Sequence, residues 1–170
     1  VSAAMATRPL PAPGVDAADF KAAMRRLASG VAVVTSRHGG VVNGMTATAV
    51  CSVSAEPPLV LVVVNRESAS HGVITRGERF ALNFLAEDQA PLASYFAGGS
   101  GKTFDGVAAR PGVTGCALIA GGAAQLECVV ETAYDQATHT IFVGKVVNAA
   151  AGEGRPLVYS EGSFCTVREL

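Results

Sequence analysis

The chain has 170 residues, 49% of them hydrophobic and 16% charged, with 13 basic against 14 acidic side chains and a formal net charge of -1. That length favours one domain with a sizeable core. The balanced charge, with no basic run longer than Arg25-Arg26, supplies no field for nucleic acid or anionic lipid, and the longest aliphatic run, 59–64, is far below the roughly 18 residues that span a bilayer.

Residues 1–15 hold three prolines and one charge with no continuous apolar segment, which reads as a loose arm rather than a secretory signal; the domain is expected over 16–170. Asp16 is placed to cap a helix over 16–30, with Phe20, Ala23, Met24 and Leu27 at helical spacing and Gly30 as its stop. The period then changes to two. Residues 31–36 read as a strand, His38-Gly39-Gly40 as a hairpin turn and 41–54 as the returning strand, interrupted near Asn43-Gly44. Pro57-Pro58 breaks the chain before a buried strand over 59–64, and a short helix follows over 68–76.

Alternation over 79–85 gives another strand, and Leu92, Tyr95 and Phe96 mark a helical side within 87–96. The glycine-rich stretch 98–122 reads mostly as loop. A long hairpin is expected from 124–136 and 139–148, and short strands from 157–160 and 163–167. Closely spaced strands with few helices and no βαβ alternation predict a mainly β fold, an antiparallel barrel with peripheral helices. Low charge and many small apolar residues favour an oligomer. Cys51, Cys116, Cys128 and Cys165 are widely spaced without a CxxC, as expected of reduced thiols in a cytoplasmic protein.

Several familiar motifs fail on inspection. Gly98-Gly99-Ser100-Gly101-Lys102-Thr103 resembles the end of a phosphate loop, but Phe96 stands where its first glycine is needed. The same segment fails as a nucleophile elbow, because Lys102 replaces the closing glycine. His38, His71 and His139 show no metal-ligand spacing with one another or with the cysteines.

The segment 43–54 is more informative. At a period of two, Thr46, Thr48, Ser52 and Ser54 fall on one face, and Met45, Ala47, Ala49, Cys51 and Val53 on the other. Hydroxyls beside a slim apolar face suit a flat heteroaromatic ligand; a strand with its polar face in water has the same pattern. Likewise Asn65-Arg66-Glu67-Ser68-Ala69-Ser70 opens a helix either as a phosphate cradle or as a solvated cap.

The segments FKAAMRRLASGVAVVT, NGMTATAVCSVSAEPPLVLVVVNRESAS, RFALNFLAEDQAPLASYFA, KTF, LECVVETAYDQATHTIFVGKV and PLVYSEGSF, in this order over 20–164, resemble the short-chain flavin reductase family. The resemblance implies a Greek-key split barrel, a homodimer, and hydride transfer from NADH or NADPH to FMN or FAD, with reduced flavin passed to a separate flavin-dependent monooxygenase. It also implies that Met45, Thr46, Ala47, Thr48 and Ala49 form the isoalloxazine wall and that Ser52, Val53 and Ser54 touch the flavin further along. Asn65, Ser68 and Ser70 match phosphate-proximal positions, Asn83, Phe84, Leu85 and Lys102 match positions around the ribityl-phosphate tail, and His139 matches a histidine on the nicotinamide side. Here Ala137-Thr138 precedes that histidine, where the family commonly has Gly-Asp. Alternatives are a relative that keeps its flavin and reduces a dedicated substrate such as a corrinoid, and a flavin- or haem-binding barrel without turnover.

Overall fold

The computed structural model describes residues 14–99 and 101–169; all but the end of the expected N-terminal arm lies outside them. Helix α1 (Ala17–Met24) starts at Asp16, whose carboxylate accepts the amides of Ala18 and Asp19, two donors that the first turn cannot satisfy internally. The helix is shorter than expected. Ser29–Gly30 (β1) is instead drawn into a three-stranded sheet with β11 (Leu157–Ser160) and β12 (Ser163–Thr166), a pairing across more than a hundred residues that local spacing does not announce.

Seven strands form the main sheet: β2 (Ala32–His38), β3 (Val41–Ala47), β4 (Val50–Ala55), β5 (Pro58–Asn65), β6 (Arg79–Phe84), β9 (Ala124–Gln136) and β10 (His139–Ala151). Their order is β3-β2-β6-β9-β10-β5-β4 and every neighbouring pair is antiparallel. Gly39 and Gly40, both at positive φ, make the tight turn between β2 and β3. The two edge strands β3 and β4 follow one another in the chain with only Thr48 and Ala49 between them, a span of at most about 11 Å. The sheet therefore curls until its edges meet. It closes through a single bent strand whose first half pairs with β2 and whose second half pairs with β5. This is the expected antiparallel barrel, split at the bend.

The barrel interior is filled by Val34, Val62, Val64, Phe80, Leu82 and Phe142, and α2 (Ala69–Gly77) closes it with Ile74. Gly144 lets β10 pass the Phe80 ring, since a Cβ there would lie 2.5 Å from it. A second cluster, including Val31, Val33, Leu85 and Phe96, packs α3 (Ala90–Ala97) on the outside. The region expected as loop contains a small hairpin, β7 (Ala109–Pro111) with β8 (Ala117–Ile119). It is pinned by buried Glu127, whose carboxylate accepts the Thr114 amide at 2.8 Å, the Thr114 hydroxyl at 2.7 Å and the Asn148 amide at 2.9 Å.

Strand β5 also departs from expectation. Val60, Val62 and Val64 point into the core, whereas Leu59, Leu61 and Val63 are only half-buried. An uninterrupted aliphatic strand normally has both faces covered, and this one has a partly bare outer face, continued by Ile141 and Val143 opposite it on β10.

Candidate functional site

The bend between β3 and β4 is where the chain passes from one edge of the sheet to the other and closes the barrel. Thr48 and Ala49 there are both exposed. Their carbonyls accept from Val50 and Val63, each at 3.0 Å. Their N–H groups have no partner among the described residues, leaving two adjacent donors open to a ligand or solvent.

The bend also reverses the parity of the strand. In β3 the core-facing residues are the odd ones, Met45 and Ala47; in β4 it is Val50. A bulge then inserts Val53 between Ser52, opposite Val60, and Ser54, opposite Leu59. The expected single row of hydroxyls is thus corrected to separate short pieces. The Thr46 hydroxyl is already engaged, donating to the Ala93 carbonyl of α3 at 2.7 Å. Ser54 accepts the Glu56 amide at 3.2 Å. Thr48, Ala49, Ser52 and Val53 are exposed.

The strand pairing brings the second group to the same end of the barrel. Val63 bonds Ala49, and two residues further along β5 Asn65 lies opposite His139 on β10. Two strand spacings across and two residues along place His139 about 12 Å from Ala49. Asn65 and Ser68 act as the cap of α2: Asn65 accepts the Glu67 amide at 2.9 Å, and Ser68 accepts the His71 amide at 3.2 Å while donating to the Asn65 carbonyl at 2.7 Å. Ser70 is buried and donates to the Asn43 side chain. Beside them Asn65, Arg66, Glu67, His71, Ala137 and Thr138 line a groove of about 560 Å³.

His139 has the Thr138 hydroxyl 2.8 Å from its Nδ1, so a neighbouring hydroxyl orients the ring. Ala137 adopts a positive φ of 49°, a conformation that favours glycine. A carboxylate-anchored imidazole does exist nearby, on a histidine that spacing alone dismissed. The Thr140 hydroxyl donates to Asp135 at 2.6 Å and lies 2.8 Å from His71 Nε2; with its proton committed to Asp135, it receives the Nε2 proton.

Asn83 and Leu85 are not brought to this surface. Both are 1% exposed. The Asn83 carboxamide donates to the carbonyls of Val33 at 3.1 Å and Ala117 at 3.2 Å and accepts the Ile119 amide at 2.8 Å, a structural clamp holding β8 against the barrel. Phe84 packs against the core. The Lys102 ammonium donates to the Phe96 carbonyl at 2.6 Å at the end of α3, and burial lowers its pKa from the ordinary lysine value.

Among the described residues no three His, Cys, Asp or Glu side chains are grouped to hold a metal ion. A closed antiparallel barrel bent between β3 and β4, with a polar groove beside the bend, has the architecture of a split barrel. The chain's residues 24–168 match the flavin reductase like domain, and the chain belongs to that family. It is 41% identical over 150 residues to the reductase component of 4-nitrophenol 4-monooxygenase/4-nitrocatechol 2-monooxygenase from Rhodococcus opacus, covering 88% of this chain and 80% of that protein. It is 37% identical over 146 residues to the reductase component of 4-hydroxyphenylacetate 3-monooxygenase from Thermus thermophilus, covering 85% and 93%. The NADH:FAD oxidoreductase SgcE6 of Streptomyces globisporus, solved with NAD and FAD fragments, superposes with a TM-score of 0.85 at 34% identity, over 92% of this chain and 98% of that one.

Proposed function

We propose that this chain, an NADH-dependent flavin reductase, holds its flavin along the bend from Met45 to Ser54 and releases the reduced form to a separate flavin-dependent monooxygenase. When bound, the flavin supplies the hydride acceptor and the nicotinamide supplies the donor. The protein's part is therefore to bind, orient and stabilise. The observation that carries the assignment is the pair of open N–H groups at Thr48 and Ala49, which suit a ring carbonyl and favour the negative charge that reduction places on the ring. The small side chain of Ala49 permits close approach of a flat ring. The capped start of α2, with Asn65 and Ser68, lies at the distance a ribityl-phosphate tail would reach, and groups there would exchange their internal bonds for phosphate oxygens. His139, held by Thr138, borders the same surface and orients the donor.

Homodimer formation is supported by the half-covered outer face of Leu59, Leu61, Val63, Ile141 and Val143. A second copy laid there would cover that surface and sit beside the flavin wall, because Val63 bonds Ala49. A cytoplasmic location fits the free state of all four cysteines and the need for a nicotinamide donor. Among the described residues no helix is long and apolar enough to cross a membrane.

Anaerobic mixing of the protein with each of FMN and FAD, against each of NADH and NADPH, tests the activity. Loss of the oxidised-flavin absorbance with NADH is expected, and the flavin with the lower KM identifies the working acceptor. No absorbance loss with any pair would end the reductase assignment.

A further inference from the structure

Helix α1 and the turn that follows it carry an apolar stripe that is left about half exposed. Phe20 and Met24 on the helix and Leu27 just beyond it recur at helical spacing, yet no residue of the helix is buried and these three are 55%, 47% and 59% exposed. An amphipathic helix ordinarily buries this stripe. Here α1 is held off the barrel from its far end: Arg26 pairs with Glu161, and the Glu161 amide donates to the Arg25 carbonyl at 2.8 Å. A groove of about 360 Å³ lies between α1 and the bend, lined by Phe20 and Met24 of the helix, Tyr159 of β11, and Thr48 and Ala49.

Two cations, Lys21 and Arg25, also line this groove, and no carboxylate does. Neither forms an ion pair among the described residues, and the nearby Glu161 is taken by Arg26. A wall of exposed rings suits a flat base, paired positive charges suit a pyrophosphate, and the volume falls within the roughly 300–1,000 Å³ of small-molecule sites. The groove also shares two residues with the flavin wall, so a ligand seated in it reaches the ring.

We propose that the groove between α1 and the bend binds the adenosine diphosphate half of the nicotinamide donor. Adenine lies among Phe20, Met24 and Tyr159, and Lys21 with Arg25 hold the pyrophosphate. The assignment rests on the placement of the flavin at Thr48 and Ala49. It accounts for donor binding on a chain that has no Gly-x-Gly-x-x-Gly turn for a dinucleotide.

The test is the full chain carrying Lys21→Ala and Arg25→Ala together, both exposed positions whose loss leaves the melting temperature unchanged. With FMN as acceptor, KM for NADH is expected to rise about tenfold, with kcat and the KM for FMN within twofold of wild type. ADP-ribose, which lacks the nicotinamide, should inhibit wild type competitively against NADH and bind the variant about tenfold more weakly by calorimetry. A KM for NADH within twofold of wild type, with undiminished ADP-ribose binding, overturns the proposal. A rise confined to the KM for FAD assigns the groove to the flavin's own adenylate and overturns the donor assignment. Dissociation of the variant in sedimentation makes the groove a contact between copies, which also overturns it. Should turnover be absent even in wild type, the reductase reading fails, while ADP-ribose titration of wild type and variant still decides the groove.

Discussion

Thr46 and Thr48, two positions apart on the proposed flavin wall, should behave oppositely when replaced. Thr46 donates to the Ala93 carbonyl at 2.7 Å in a half-buried setting, so Thr46→Val removes a bond with a net worth of about 1 kcal/mol. In a domain of this size that lowers Tm by about 2–4 °C, with little effect on flavin affinity. Thr48 is exposed and its hydroxyl has no partner among the described residues, so Thr48→Phe should change stability by no more than about 0.5 kcal/mol. Its ring, however, would occupy the space proposed for the flavin, and a tenfold weaker Kd corresponds to about 1.4 kcal/mol. Thermal unfolding with and without FMN separates the two. At FMN equal to 100 times the wild-type Kd, bound flavin stabilises wild type by about 2.7 kcal/mol and the Thr48→Phe variant by about 1.4 kcal/mol. Equal stabilisation of the two proteins by FMN, or a Thr46→Val variant that keeps its Tm while losing flavin, would refute the reasoning.

Away from the wall, burial alone would raise the Glu127 carboxyl, but the donors from Asn148 and Thr114 outweigh it and hold the pKa below the ordinary carboxylate value of 4.5. A lowered folded pKa gives stabilisation that is present above the unfolded value and is lost as pH falls through the folded one. Glu127→Gln should therefore cost about 1–3 kcal/mol at neutral pH, with its denaturation curve converging on wild type in acid; parallel curves at all pH values would contradict this. Asn83→Ala leaves the Ile119 amide and two carbonyls without their partner and should cost about 2–4 kcal/mol in urea unfolding, while the KM for flavin in the folded fraction stays unchanged; a selective loss of flavin binding would return Asn83 to the site. Leu61→Glu places a charge on the outer face of β5 and should convert the proposed homodimer to a monomer in analytical ultracentrifugation, and an unaltered sedimentation coefficient would contradict an interface on this face.

Much of the architecture was legible because its signals are local. Gly39-Gly40, the Pro57-Pro58 break and the alternations over β2, β6 and β9 each mark a strand or turn through the backbone chemistry of a few neighbouring residues. What escaped depends on distant partners. The early end of α1 follows from the pairing of Ser29 and Gly30 with Tyr159 and Val158. The divided hydroxyl row follows from a bend and a bulge that change strand parity without any glycine or proline to announce them. Asn83 carries the composition of a ligand contact, and only the arrival of β8 turns it into an internal clamp. His71 gave no signal because its partners Thr140 and Asp135 lie more than sixty residues away. The positions named for the isoalloxazine were found on the bend by family resemblance; their hydrogen bonds then separate the open donors of Thr48 and Ala49 from the engaged hydroxyl of Thr46.

Amide hydrogen exchange resolved to single residues, measured with and without saturating FMN, bears most directly on the flavin's position. The Thr48 and Ala49 amides have no internal partner and should exchange quickly in the free protein, then slow by at least about tenfold with FMN bound, as they donate to the ring. Unchanged exchange at both amides while FMN is demonstrably bound would place the flavin elsewhere on the barrel.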